Sequence, residues 1–245
     1  MKIALVTGAS RGLGAEIAKQ LGKAGWAVAV NCSKDLARAE TVVNQISNAG
    51  GRATLARFDV TNREHVVAGL AYIAQRLGPV DLVVNNASGP QPVLPLELQT
   101  WEHYLQQMRF FVGAPLFILQ ALLSDWRSRK SGRIINIGSE VVDTGSSKFG
   151  HYVAAKAAMV GLTRSWAMEL GPDNITVNLV APGWTLVERH VDATLLELEN
   201  YKKLVPLGRM ATPSDVAGLV EYLASPAANF ITGQTFSVNG GRTFT

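Results

Sequence analysis

A single cysteine, Cys32, in 245 residues excludes an intramolecular disulfide and any metal site built from several thiolates. Charge is scarce too: Asp, Glu, Lys and Arg make up 17% of the chain, against roughly 25% in an average globular protein. The excess of 23 Lys and Arg over 19 Asp and Glu, a formal charge of +4, is spread along the sequence and forms no run. That balance suits an anionic small molecule and reads otherwise as ordinary surface charge; a nucleic-acid face would cluster its cations. Long apolar stretches are missing as well. The N-terminus is apolar only from Ile3 to Val6, short of the roughly 7–15 residues of a signal-peptide core, and no stretch is expected to reach the length of a membrane span. The four histidines, His65, His103, His151 and His190, share no ligand spacing with one another or with carboxylates, so no metal site is predicted. These absences predict a cytoplasmic chain with no membrane or nucleic-acid partner.

What the sequence does have is 47% hydrophobic residues and 23 glycines, a composition that excludes disorder and collagen-like repetition. α/β chains of roughly 200–250 residues are routinely single units, so residues 1–245 are predicted to form one domain. Short apolar runs alternate with segments of helical periodicity. Strands are predicted at Ile3–Val6, Ala27–Val30, Ala53–Phe58, Val80–Val84, Arg133–Ile137, Ile175–Val180 and Thr235–Val238. Helices are predicted at Gly14–Lys23, Leu36–Ala49, Asn62–Leu77, Trp101 to about Arg127, Tyr152–Leu170 and Ser214–Leu223, with a Pro-rich loop (Pro90, Pro92, Pro95) after the fourth strand. Strict alternation of this kind implies a doubly wound α/β fold, a parallel sheet with helices on both faces. Ligands are then expected outside the C-terminal ends of the strands.

Between the first strand and first helix lies Thr7-Gly8-Ala9-Ser10-Arg11-Gly12-Leu13-Gly14. Glycines let backbone approach a pyrophosphate, and the following helix N-terminus offers it unpaired N–H groups. The spacing is Gly-x3-Gly-x-Gly. With Asp59-Val60, Asn85-Asn86-Ala87, Ser139, Tyr152-x3-Lys156, Pro182-Gly183 and the closing Gly233–Gly241 in the same order, the whole chain resembles the short-chain dehydrogenase/reductase family, a Rossmann fold. Within that family it is most similar to bacterial 3-oxoacyl-(acyl-carrier-protein) reductases, through Lys2–Gly14, Arg133–Ser139 and Pro206-Leu207-Gly208-Arg209.

Tyr152 and Lys156, four apart on one predicted helix, share a face. Bringing a tyrosine from its ordinary pKa of about 10 to about 7 takes roughly 4 kcal/mol, and a neighbouring ammonium is one source. The resemblance implies that Ser139 orients the substrate carbonyl, Tyr152 supplies or removes the proton, and Lys156 holds the cofactor ribose while lowering the tyrosine's pKa. It also implies cofactor contacts from Gly8, Ser10, Arg11, Gly12, Leu13 and Gly14 in the turn, Asp59 and Val60 at the adenine, Asn85 and Ala87 along the cofactor, and Pro182, Gly183 and Thr185 near the nicotinamide. One family feature is missing. An asparagine that links the lysine to a water relay is replaced by Phe110 or Phe111, which leaves Gln106, Gln107 or a backbone carbonyl to hold the water.

NAD-preferring relatives carry an acid at the end of the second strand. Here that position is Cys32, followed by Ser33 and Lys34, and Lys34 with Arg11 would neutralise a 2′-phosphate. NADPH is therefore expected over NADH. Residues from about 184 to 204 are expected to form a substrate lid, mixing Trp184, Val187, Leu195 and Leu196 with Glu188, Arg189 and His190. The helix around Phe110–Leu123 is apolar on nearly every side and must be buried on more than one face; by resemblance this implies a homotetramer. The expected activity is NADPH-dependent reduction of a ketone, either a small molecule or a 3-oxoacyl thioester on acyl carrier protein. The rivals are an NAD-linked alcohol or sugar dehydrogenase and, from another class, a dinucleotide-binding regulatory protein with little catalysis.

Overall fold

The computed structural model describes residues 1–188 and 193–244; Arg189 and His190 of the expected lid lie outside them. Seven strands, β1 (Ile3–Val6), β2 (Ala27–Cys32), β3 (Arg52–Arg57), β4 (Leu82–Asn85), β5 (Gly132–Ile137), β6 (Ile175–Pro182) and β7 (Thr235–Val238), pair in parallel in the order β3-β2-β1-β4-β5-β6-β7. The helices are α1 (Gly12–Lys23), α2 (Leu36–Asn48), α3 (Arg63–Arg76), α4 (Trp101–Met108), α5 (Ala114–Arg129), α6 (Val141–Thr144), α7 (Gly150–Leu170), α8 (Leu195–Lys203) and α9 (Pro213–Ala224). Strand order reverses between β1 and β4, the switch point where such sheets open a ligand crevice.

Period-two alternation builds two cores. Ala4, Val6, Val28 and Val30 face α1, α2 and α9 through Ile17, Leu21, Ile46 and Val220. Ile3, Leu5, Ala27 and Ala29 face the other way, onto α3, α5 and α7 through Ile73, Ile118, Trp126 and Leu170. Full burial of each such Leu or Ile is worth about 1.5–3 kcal/mol.

Most predicted elements are present with shifted ends, and three differences bear on function. First, α1 starts at Gly12 rather than Gly14, which places the glycine turn itself at the helix N-terminus. Second, the predicted helix from Trp101 is one column of 29 residues, Trp101–Arg129, whose Arg109–Gly113 segment is a π turn between α4 and α5. By length and composition this column could cross a membrane, which corrects the expectation that no stretch reaches that length; Phe111, Ile118, Leu122 and Trp126 on it are buried in the fold. Third, the expected lid contains a helix, α8, capped by Thr194 and Glu197.

Candidate functional site

The glycine turn is held by the polar groups around it. Thr7 Oγ1 donates to Val84 O (3.1 Å) and accepts from the N–H groups of Asn86 (2.9 Å) and Ala87 (3.0 Å). Asn86 Nδ2 donates back to Thr7 O and Gly8 O. Buried Asn31 accepts from Gly8 N and donates to Ala56 O and Phe58 O, tying the turn to β2 and β3. A Cβ on Gly8 would lie 2.8 Å from Ala87 Cα, and one on Gly14 2.4 Å from Gly8 O, so both glycines are required by the close backbone approach. The N-cap of α1 is Arg11, whose side chain makes no capping bond. The Gly12 N–H instead donates to the Glu188 carboxylate (3.4 Å). An anion is favoured there by the helix dipole, so Glu188 stands where a phosphate group would. Backbone cradle and carboxylate stand-in together fit a dinucleotide pyrophosphate.

Ser10, Arg11 and Gly12 open onto a cleft of about 520 Å³ that Lys19, Arg38 and Glu188 also line. Ser33 and Lys34 are exposed on the β2–α2 connection and do not line it, whereas Arg38 does, held by Asp35 at 3.4 Å. Arg38 was not anticipated; a cation one turn beyond Lys34 was its signal in the sequence. Val60 is buried in the core, and Asp59 Oδ1 accepts from the backbone N–H and hydroxyl of Thr61. Asn85 at the end of β4 turns its amide inward to Asn136, which reaches Thr163 on α7. Pro182 ends β6, Gly183 N donates to Val238 O, and the Thr185 hydroxyl donates to Gly183 O.

Ser139 follows β5, with Gly138 between them packed so tightly that a Cβ would lie 2.4 Å from Leu179 Cδ2. Tyr152 and Lys156 sit in the first two turns of α7, 7% and 4% exposed. Lys156 Nζ donates to Ile137 O at 2.6 Å, joining α7 to the strand end that delivers Ser139. The Tyr152 ring stacks on Phe149 and meets Phe111 edge-on. Serine after β5, and tyrosine and lysine together on α7, thus come to the C-terminal edge of the sheet from two elements. Among the described residues, no group of three or more His, Cys, Asp or Glu stands together.

Further residues shape this edge. Glu140, 3% exposed, accepts from Tyr201 Oη (2.7 Å) and from Arg242 Nη1 (2.5 Å), and Tyr201 Oη accepts from Trp184 N (2.7 Å). Burial, and then the adjoining carboxylate, push the Tyr201 phenol above its ordinary pKa. An acid inside the run Ser139-Glu140-Val141-Val142 was the sequence signal for this network. Burial pushes the His151 imidazole below its ordinary pKa; its Nε2–H donates to Pro92 O (2.9 Å), and Gln107 donates to Pro90 O (2.7 Å). Both pin the Pro-rich loop; the Gln107 Oε1 is buried and has no hydrogen-bond partner among the described residues.

Comparison with known proteins agrees with this arrangement. The model of the short chain dehydrogenase family matches residues 2–194. A 3-oxoacyl-[acyl-carrier-protein] reductase of Staphylococcus aureus is 38% identical over 243 residues, 98% of this chain and 97% of the relative. The angucycline C-6 ketoreductase LanV, solved with bound NADP, is 35% identical with a TM-score of 0.90, covering 98% of this chain and 95% of its own. A 7α-hydroxysteroid dehydrogenase solved with NADH and 7-oxo glycochenodeoxycholic acid is 31% identical with a TM-score of 0.93, covering 98% and 93%. The chain belongs to the short-chain dehydrogenase family and is an oxidoreductase that acts on carbonyl or hydroxyl groups with a nicotinamide cofactor.

Proposed function

We propose that the chain reduces a ketone to an alcohol with NADPH, with Ser139 and Tyr152 at the carbonyl and Lys156 behind them. The observation that carries this reading is the 2.6 Å bond from buried Lys156 to Ile137 O, which fixes the tyrosine-bearing helix to the strand end before Ser139. The nicotinamide, when bound, supplies the hydride. Ser139 Oγ donates to the carbonyl oxygen and orients it, and Tyr152 transfers its phenolic proton to that oxygen as the alcohol forms, leaving a phenolate that is reprotonated from solvent. The buried ammonium of Lys156 stabilises the phenolate electrostatically, more strongly than it would in water.

The turn from Gly8 to Gly14 receives the pyrophosphate at the α1 N-terminus. A preference for NADPH is supported by Arg11 and Arg38, which line the cleft, and by Cys32 standing where an acid would repel a 2′-phosphate. The substrate class we favour is a 3-oxoacyl thioester, by likeness to the curated relative. Lys130, a candidate contact for an acidic carrier protein, is engaged with Asp173, so docking would have to open that pair or use other cations. We further propose a homotetramer.

The test is NADPH consumption with a 3-oxoacyl thioester, simple ketones and diketones, comparing the unmodified protein with Tyr152→Phe. Loss of the general acid is expected to lower turnover by about 10²-fold or more. Equal turnover by the two proteins would overturn the assignment. Turnover of simple ketones alone would keep the mechanism and remove the thioester. Binding of NADPH with no turnover of any carbonyl would favour a regulatory role.

A further inference from the structure

A buried ammonium must be compensated. One partner of Lys156 is the Ile137 carbonyl; a second is the face of Phe111, whose ring centroid lies 3.7 Å from Nζ. That is well within the roughly 6 Å reach of a cation–π attraction, which strengthens when water is excluded. Phe111 is 1% exposed, and the same ring meets Tyr152 at 83° with centroids 5.5 Å apart. Tyr152 is backed on another side by Phe149, stacked at 4.6 Å. A single phenyl ring therefore touches both proton-handling side chains. It is delivered by the π turn Arg109–Gly113, a rare winding that often accompanies functional positions.

We propose that Phe111 is a positioning residue for proton transfer: its ring face holds the Lys156 ammonium and its perpendicular packing sets the Tyr152 ring. The inference rests on the roles given to Tyr152 and Lys156 above. A phenyl face attracts a cation but neither donates nor accepts a proton. Position 111 thus orders the lysine without conducting, and the proton that restores Tyr152 travels by a route that does not include this side chain.

Ring fluorination tests this, because it weakens the negative face of the ring while nearly preserving its shape. Phe111 is replaced by phenylalanines carrying one, two and three ring fluorines, with Phe111→Leu and Tyr152→Phe assayed alongside on a carbonyl that the unmodified protein reduces. The expected result is a stepwise fall in kcat, on the order of tenfold at three fluorines, with KM and melting temperature unmoved. A flat kcat across the series, or a fall matched by KM or melting temperature, overturns the proposal. If Tyr152→Phe retains full turnover, the underlying reading fails instead. A readout independent of turnover is the NMR signal of the Lys156 ε-methylene in selectively labelled protein. It is expected upfield from the Phe111 ring current and at its ordinary position in Phe111→Leu; an unchanged signal overturns the proposal.

Discussion

Glu140 keeps a carboxylate at 3% exposure directly after Ser139, and its bonds to Tyr201 and Arg242 span 61 and 102 residues of chain. A buried charge is tolerated only when it is paired. Glu140→Leu removes that charge but leaves the buried Tyr201 hydroxyl without its acceptor and Arg242 without its carboxylate. We expect a loss of about 1–3 kcal/mol in denaturant unfolding. We also expect a raised KM, because Tyr201 anchors α8 and the Trp184 backbone beside the site. An unchanged unfolding midpoint together with an unchanged KM would rule out this anchoring role. The contrast with Ser139, Tyr152 and Lys156 marks what the sequence makes legible at this scale. Tyr152 and Lys156 share a helix face and Ser139 follows a recognisable strand, so local pattern places them. Glu140 and Asn31 act through partners distant in sequence, and Arg38 through a cleft that only folding creates, so local pattern could not reveal their roles.

Helix starts show the same division one level up. At α9, Thr212 accepts from Asp215 N while Asp215 accepts from Thr212 N, and Arg209 donates two hydrogen bonds to the same carboxylate. Arg209 is the largest cause holding the Asp215 carboxyl far below the ordinary carboxylate range. A depressed folded-state pKa stabilises the fold above the unfolded value of about 3.9, and this contribution is lost as pH falls through that value towards the folded one. Asp215→Asn should therefore unfold at lower temperature at neutral pH, with the difference from the unmodified protein shrinking below about pH 4. A pH-independent difference in melting temperature would show that the charge is not its source. Thr212→Ala removes the cap together with the hydroxyl's own bond to the Asp215 carboxylate, at a cost of about 1 kcal/mol. The strands and long helices were legible because their apolar periods differ, two against 3.6 residues. α8 was missed although Thr194 and Glu197 spell a capping box, because its few apolar residues form no face broad enough to register as a period. The π turn has no residue signature at all, since any apolar stretch admits it.

At the scale of the whole molecule, the predicted parallel, doubly wound sheet is present, and its switch point between β1 and β4 sets the glycine turn beside Ala87. The outer surface of α7 carries the remaining argument. Ala154, Ala157, Gly161, Arg164 and Met168 recur at helical spacing and are exposed, Met168 at 82%. A glycine inside a helix costs about 1 kcal/mol relative to alanine, and nothing within the protomer explains Gly161, because a Cβ there would meet no atom within 4 Å. In the proposed tetramer, close approach of a second α7 would explain it, since small side chains on this face would let two helix backbones near each other. Leu116, Phe117 and Leu123 of neighbouring α5 are only partly buried and would extend such a contact. The proposed tetramer should appear in light scattering as four times the 26.3 kDa chain mass. Gly161→Arg should fold as a protomer, with its far-ultraviolet circular dichroism retained, and should scatter as a smaller species. A monomeric mass for the unmodified protein would remove the tetramer. A full tetramer in Gly161→Arg would move the interface away from α7.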